Sequence, residues 1–241
     1  MKINILTLFP AMFDGFKSES IIKRAINSGS LEINIIDIRD YTFDKHNTAD
    51  DTPFGGGAGM VLKAEPIFKA LEKTFGKVIY TSPQGITLNQ KLSNELSSEE
   101  EITIIAGHYE GIDERVIEKK VDLEISIGDF VLTGGELPAM VIADSIARLL
   151  PGVINKESYE QDSFYNGLLD HPHYTRPAEF DGLKIPEILL SGHHKNIELW
   201  RKKESLKRTY LRRPDLLEGR EFTKEEKKLL KEIVEEFKNN N

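Results

Sequence analysis

The chemistry open to this chain is densest at residues 126–140, Ser-Ile-Gly-Asp-Phe-Val-Leu-Thr-Gly-Gly-Glu-Leu-Pro-Ala-Met. A short apolar strand ends at Ser126 and a glycine-spaced loop follows. Pro138 then falls in the first turn of an amphipathic helix, where its missing N–H costs nothing. Gly128, Gly134 and Gly135 let backbone N–H and C=O groups approach a flat ligand that side chains would block. A second string, Ala106-Gly107-His108-Tyr109-Glu110-Gly111-Ile112-Asp113-Glu114-Arg115, leaves the carboxyl end of a strand and opens a helix. Open α/β sheets bind ligands at such places. Gly107 allows close approach there, and Glu110 sets a carboxylate at the mouth of the site.

Other stretches carry weaker signals. Gly55–Gly59 does not follow a strand directly, lacks the Gly-x-Gly-x-x-Gly spacing and precedes no Lys-Ser or Lys-Thr. Neither a dinucleotide nor a P-loop fingerprint is present, and a flexible loop is expected. His46, Asp50 and Asp51 lie just before it, and by composition they read as ordinary polar loop residues. His171-x-His173 and His193-His194 raise the question of a metal. Without cysteines or a helical i, i+4 pair, no dedicated zinc site is expected. Asp162, in a polar stretch, reads by itself as a solvated carboxylate. Arg148, near the end of the long helix, reads as a charge favoured by the helix dipole.

The elements that must position these groups alternate. Strands are expected at Ile3–Phe9, Leu31–Ile38, Val78–Thr81, Ile102–Ala106 and Leu123–Ser126. Helical spacing joins Met12, Phe13, Phe16, Ile21, Ile22, Ala25 and Ile26 up to Gly29. A second helix carries Ile67, Phe68, Leu71 and Phe75 on one face and stops at Gly76. Further helices are expected over about 90–96, 111–119 and 136–150, with a loop over 40–59 and a turn at Ser82-Pro83-Gln84-Gly85. Alternation of this kind makes a parallel α/β sheet with helices on both faces. The first domain spans 1–160, a polar linker covers about 152–169, and a helical domain fills 170–241. In that last part Trp200, Leu206 and Tyr210 give the basic segment an apolar side. Thr223-x-x-Glu226 forms a capping-box pattern before Leu229, Leu230, Ile233, Val234 and Phe237.

Composition bounds the function. Absence of cysteine removes disulfides, thiolate zinc sites and cysteine nucleophiles together. No signal peptide is legible after Met1, and no apolar run approaches the roughly 20 residues of a membrane span. The cytoplasm is the expected location. A net charge of −8 argues against indiscriminate nucleic-acid binding. From Lys195 to Arg213, however, eight basic residues (Lys195, Arg201, Lys202, Lys203, Lys207, Arg208, Arg212, Arg213) face two acidic ones, Glu198 and Glu204. That run is either a solvated helix face or a phosphate-backbone binder.

Taken together, the strings at 82–85, 106–115 and 126–140, with Asp162-Ser163-Phe164 and Gly167-Leu168-Leu169-Asp170-His171-Pro172-His173-Tyr174-Thr175-Arg176-Pro177, closely resemble those of bacterial tRNA (guanine-N1)-methyltransferases. That family belongs to the SPOUT class and uses S-adenosylmethionine. The resemblance implies that residues around 80–135 thread a deep trefoil knot within the parallel sheet. It implies a cofactor site built from Tyr80, Thr81, Ser82 and Pro83, then Gly107, Tyr109 and Glu110. A third loop supplies Ser126, Ile127, Gly128, Asp129, Phe130, Val131, Leu132, Gly134, Gly135 and Pro138.

The same resemblance makes Asp162 the catalytic base, turns Arg148 towards the reaction centre and sets Glu110 close to the target base. It brings His46, Asp50 and Ser163 beside the target nucleotide, a guanosine immediately 3′ of the anticodon. The basic residues Lys195, Arg201, Lys202, Lys207, Arg208, Arg212 and Arg213 would hold the anticodon stem-loop of tRNA. A homodimer with a shared site is implied too. Magnesium is linked to the family, but no ligand set for it is legible. Phe130 stands where many relatives carry Tyr, which leaves stacking intact, and the resemblance carries little weight after about residue 215. Two rivals remain: a methyltransferase of the same fold on another RNA position, and a non-catalytic RNA-binding module. A nicotinamide oxidoreductase lacks its fingerprint.

Overall fold

A run of apolar residues makes β1 (Lys2–Thr7), buried along almost its whole length. Such runs suit a parallel strand covered on both faces. The computed structural model describes residues 1–239, in two compact units, Met1–Lys156 and Glu157–Asn241. After β1 come a turn of 3-10 helix, α1 (Asp14–Ser18), α2 (Ser20–Asn27) and β2 (Glu32–Asp37). The single helix expected here is broken, because Glu19 is extended, with φ −127° and ψ 159°.

The expected loop over 40–59 carries a 3-10 turn and a short strand, β3 (Asp50–Asp51), paired antiparallel with β4 (Val61–Leu62). Next comes α3 (Ala64–Leu71). Phe75, expected on its buried face, lies beyond its end and is 73% exposed. The 3.6-residue period was read one turn too far. β5 (Lys77–Thr87), α4 (Gln90–Leu96), β6 (Glu101–Ile105), α5 (Glu114–Lys120), β7 (Leu123–Ser126) and α6 (Glu136–Ala147) complete the unit. α5 starts later than expected because the Asp113 carboxylate caps it, accepting from the Arg115 N–H at 3.0 Å.

The sheet order is β2-β1-β6-β5-β7, with every neighbour parallel. One apolar layer joins the sheet to α2, α4 and α6 through Ile3, Ile5, Ile22, Leu96, Ile142 and Ile146. The other joins it to α3 and α5 through Leu6, Ile67, Leu71, Ile105 and Val116. A polar clamp crosses the first layer: the Thr7 hydroxyl donates to the buried Glu136 carboxylate at 2.9 Å. That bond ties the start of α6 to the carboxyl end of β1, beside the ligand loops.

α7 (Lys156–Tyr159) starts at the last residue of the first unit and precedes an irregular segment of the second. The stretch after residue 170, expected to be helical throughout, first forms the hairpin of β8 (Glu179–Phe180) and β9 (Leu183–Lys184). Gly182, at φ 75°, supplies its turn. Two helices follow, α8 (His194–Arg212) and α9 (Lys224–Asn239). Leu168, Leu206, Leu229 and Ile233 form the core of this unit. Leu168 belongs to the stretch read as a polar linker, so that stretch contributes to a core.

The capping box forms as expected. The Thr223 N–H donates to Glu226 Oε2 at 2.8 Å and the Glu226 N–H to Thr223 Oγ1 at 3.2 Å. Burial alone would raise the Glu226 carboxyl, but the bonds from Thr223 and the Arg220 guanidinium outweigh it and hold it below the usual range. A carboxyl lowered on folding stabilises above its unfolded value, about 4.3, and that stability is lost as pH falls through the folded value. Glu226→Gln should therefore cost about 1 kcal/mol at pH 7, and the penalty should shrink as pH falls from about 4.3 through the lower folded value. Urea unfolding of both proteins across pH 3–7 reads it; a constant penalty would deny the charge its role.

Candidate active site

Three adjacent strands, β6, β5 and β7, end side by side, and parallel pairing aligns their carboxyl ends. Two of the strings singled out above follow β6 and β7, and the third is an irregularity inside β5. They line one cavity of about 400 Å³, walled by Tyr80–Gln84, Gly107–Ile112 and Ser126–Gly128, then by Phe130–Gly135 and Pro138. Every expected cofactor residue is a wall residue except Asp129. The turn expected at residues 82–85 interrupts β5 without ending it. Thr81 and Ile86 both pair with Ile125, so the four residues between them are pushed out of the ladder.

Close backbone contact joins the loops. The Gly135 N–H donates to the Gly107 carbonyl at 2.7 Å, and His108 and Gly134 form an antiparallel bridge. A Cβ on Gly135 would run into the Thr81 hydroxyl and the backbone at Ala106 and Gly107. Gly135 is therefore needed for loop-to-loop packing as well as for ligand approach. The same holds for Gly134, whose Cβ would overlap the His108 ring and the Glu136 carboxylate. Within the third loop the Ser126 hydroxyl donates to the Gly128 carbonyl at 3.1 Å and accepts from the Gly128 N–H at 3.2 Å. Burial pushes the Tyr80 hydroxyl above the ordinary phenol range, so it stays protonated at neutral pH.

The glycine run at 55–59, left without a role by its spacing, abuts the second loop. A Cβ on Gly59 would overlap the Glu110 side chain. The Glu110 N–H donates to the Met60 carbonyl, and Leu62 bonds both Gly111 and Asp113, all at 3.0 Å. Asp50 lies opposite Leu62 in the β3–β4 pair. The loop that carries Asp50 is thus tied to the turn that carries Glu110. His46 stands exposed in a turn closed by the Asp44 carboxylate, which accepts from the His46 and Thr48 N–H groups. His108 escaped the sequence reading. It lines the cavity, its ring centroid lies 4.8 Å from those of Phe9 (tilted) and Tyr109 (edge-on), and its buried Nδ1 has no hydrogen-bond partner among the described residues. Its only signal was its place inside the second string.

Arg148 sits at the carboxyl cap of α6 in the first unit. Asp162 and Ser163 belong to the second unit, where their segment is bonded to α8. The Leu169 N–H donates to Thr209 Oγ1 at 2.9 Å, and the Ser205 hydroxyl bonds the Leu169 carbonyl at 2.5 Å. The Arg213 guanidinium lies 5.7 Å from the Phe164 ring centroid and is itself held by Asp215 at 2.7 Å.

The basic run changes character once α9 is folded beside it. Lys202 pairs with Glu225, Lys203 with Glu232 and Glu236, and Lys207 with Glu236. Lys195, Arg201, Arg208 and Arg212 make no ion pair among the described residues. Arg201, Arg208 and Arg212 recur at seven and four residues, so they share one stripe of α8.

Comparison with known proteins now bears on these loops. Residues 1–219 match the family described as tRNA (Guanine-1)-methyltransferase TrmD. The chain belongs to that family. A tRNA (guanine-N(1)-)-methyltransferase of Fusobacterium nucleatum is 72% identical over 236 residues, covering 98% of this chain and 99% of the relative. Proteins of the same name from Bacillus cereus and Bacillus anthracis are 56% identical over 242 residues, at 98% and 99% coverage. The match with the family covers all three loops and the 162–177 segment.

Methyltransferases of this family use S-adenosylmethionine, and the cavity suits it. Its walls are glycine-rich, it sits at the strand ends, and it holds an unpartnered imidazole nitrogen. Magnesium fits less well. Among the described residues the single cluster of three ligating side chains is Asp170, His171 and His173, and imidazoles do not suit so hard a cation. Gly107 offers the cleanest probe of the cavity. A Cβ there would lie 2.8 Å from the Tyr80 ring, which would have to shift in the cavity wall. Gly107→Ala should lower S-adenosylmethionine affinity at least tenfold in calorimetry while the circular dichroism spectrum stays unchanged. Unaltered affinity would remove the cofactor from this cavity.

Proposed function

We infer that this family member transfers the methyl group of S-adenosylmethionine to N1 of the guanosine immediately 3′ of the anticodon in tRNA. The convergence of three motif loops on one cavity, in a chain matching the family over residues 1–219, carries the reading. The bound cofactor supplies an electrophilic methyl group on a sulfonium. Guanine N1 holds a proton at neutral pH and is a poor nucleophile until that proton leaves. Asp162 takes it as general base. As negative charge spreads towards O6, Arg148 stabilises it. Glu110, backed by Gly59, orients the base, and His46, Asp50 and Ser163 line the nucleotide.

Asp162 and the cavity belong to different units. In this reading a homodimer brings the Asp162 segment of one chain to the cavity of the other, and the knot at about 80–135 holds the cofactor loops. The helical unit grips the anticodon stem-loop, and the work is done in the cytoplasm. No step is routed through magnesium. Labelled cofactor and tRNA transcripts that differ only at the target guanosine test the reaction directly; equal labelling of both would overturn it. Asp162→Asn should lower methyl transfer about 10²–10⁴-fold with cofactor affinity unchanged. Near-normal turnover would remove Asp162 from the chemistry.

The arginine stripe gives a second test. Replacing Arg201, Arg208 and Arg212 with Ala should weaken tRNA binding and lower the salt slope by about 0.7–0.9 per lost phosphate contact. Lys203→Ala, which removes a partner of Glu232 and Glu236, should act on thermal stability and leave the salt slope alone. Equal effects of the two variants on the slope would mean that the whole run meets phosphate.

A further inference from the structure

The segment that begins at Asp162 ends in a cluster that the methyl-transfer chemistry does not use. Asp170, His171 and His173 bring one ligand atom each within 4.8 Å of one another. Asp170 Oδ2 lies 2.7 Å from His173 Nε2, and Asp170 Oδ1 lies 3.8 Å from His171 Nε2. Both rings therefore turn the same nitrogen to one carboxylate. His171 Nδ1 lies 3.1 Å from the Pro172 carbonyl. Donating there leaves the Nε2 lone pair free, the outer bond that metal-ligating histidines commonly make. Ligands about 2.1 Å from a tetrahedral ion sit roughly 3.4 Å apart, so side-chain adjustments of about 1 Å close the set.

We propose that Asp170, His171 and His173 bind a divalent transition ion of the zinc type. Two imidazoles and a carboxylate suit such an ion and disfavour calcium and magnesium. The buried His171, 6.3 Å from the Trp200 ring, supplies the shielded side of the site. His173, whose side chain is 70% exposed, leaves the remaining coordination positions to water. No helical i, i+4 spacing marks the cluster, because its three residues fall within four positions of an irregular segment.

The cluster also touches the segment with the proposed base. The Asp170 N–H donates to Ser163 Oγ at 2.9 Å, and the neighbouring Leu169 is bonded to α8 on both its N–H and its carbonyl. An ion at residues 170–173 would staple the carboxyl end of the segment that opens with Asp162 and Ser163. That consequence rests on the role given to Asp162. Binding of the ion does not, and it is read without methyl transfer.

The full-length protein, freed of metal by a chelator and dialysed, is titrated with Zn²⁺ in a calorimeter. Co²⁺ is titrated separately and followed by visible absorption. One ion per chain is expected, with a visible Co²⁺ band. Affinity should fall at least tenfold in His171→Ala, His173→Ala and Asp170→Asn and stay unchanged in His193→Ala. The exposure of His173 makes its variant safe for folding, and circular dichroism checks all four. No stoichiometric binding by the wild type would overturn the site, leaving Asp170 and His173 as a plain hydrogen-bonded pair. Equal binding by the wild type and the His173→Ala variant would move the ion elsewhere.

Discussion

Parallel pairing of β6, β5 and β7 brings three short strings, separated in sequence by twenty and by ten residues, to the same edge of one sheet. β6 and β7 deliver their loops at their carboxyl ends and β5 delivers the bulge at 82–85, so the loops become neighbours although the strings are not. Alignment alone would leave them mobile, since loops carry few apolar contacts. The Gly135–Gly107 hydrogen bond joins the third loop to the second. The Thr7–Glu136 bond fixes the helix that follows the third loop. A buried carboxylate in an apolar layer is costly without a partner, so this clamp must form for α6 to pack. Glycine is required where backbone meets backbone, and at Gly135 a side chain would part the loops before it met any ligand.

What was legible in the sequence was local. The capping box at Thr223 and Glu226 forms with the expected bonds because all its atoms lie within four residues. The strand β7 and the helix α4 match their expected bounds for the same reason, period and end signals being short-range. The strings of the cofactor loops could be quoted residue by residue because each glycine answers a local demand of the backbone. What escaped was pairing at a distance. The β3–β4 ladder joins a polar loop to residues ten and twelve positions on, and no hydrophobic alternation marks two-residue strands. Gly59 found its reason in Glu110, which is remote in sequence.

The basic run shows how the same limit bears on function. Counting charges from Lys195 to Arg213 gives an excess of six, eight basic against two acidic residues. Helix α9 then lays Glu225, Glu232 and Glu236 against Lys202, Lys203 and Lys207. Lysines on that side are employed in holding two helices together, with part of each stem packed and each charge matched. The charge of Lys203 is reinforced chiefly by the Glu236 hydrogen bond. Arg201, Arg208 and Arg212, on another stripe, form no ion pair among the described residues. Arginine suits this division, since its planar fork can take two phosphate oxygens at once.

A chain of net charge −8 that binds a polyanion must resist it over most of its surface. Contacts to phosphate carry no sequence information but fix register and orientation. A narrow stripe on one helix does that better than a broad basic face, because few alternative placements satisfy three arginines spaced over eleven residues. The stripe lies on the helix that also bonds Leu169 through Ser205 and Thr209. On the function proposed above, register set by the arginines would pass, through two hydroxyl groups and one peptide unit, to the segment that carries Asp162. In the reading proposed above, recognition of the nucleic-acid backbone and support of the proposed base share one face of one helix, since Ser205 stands four residues from Arg201 and three from Arg208.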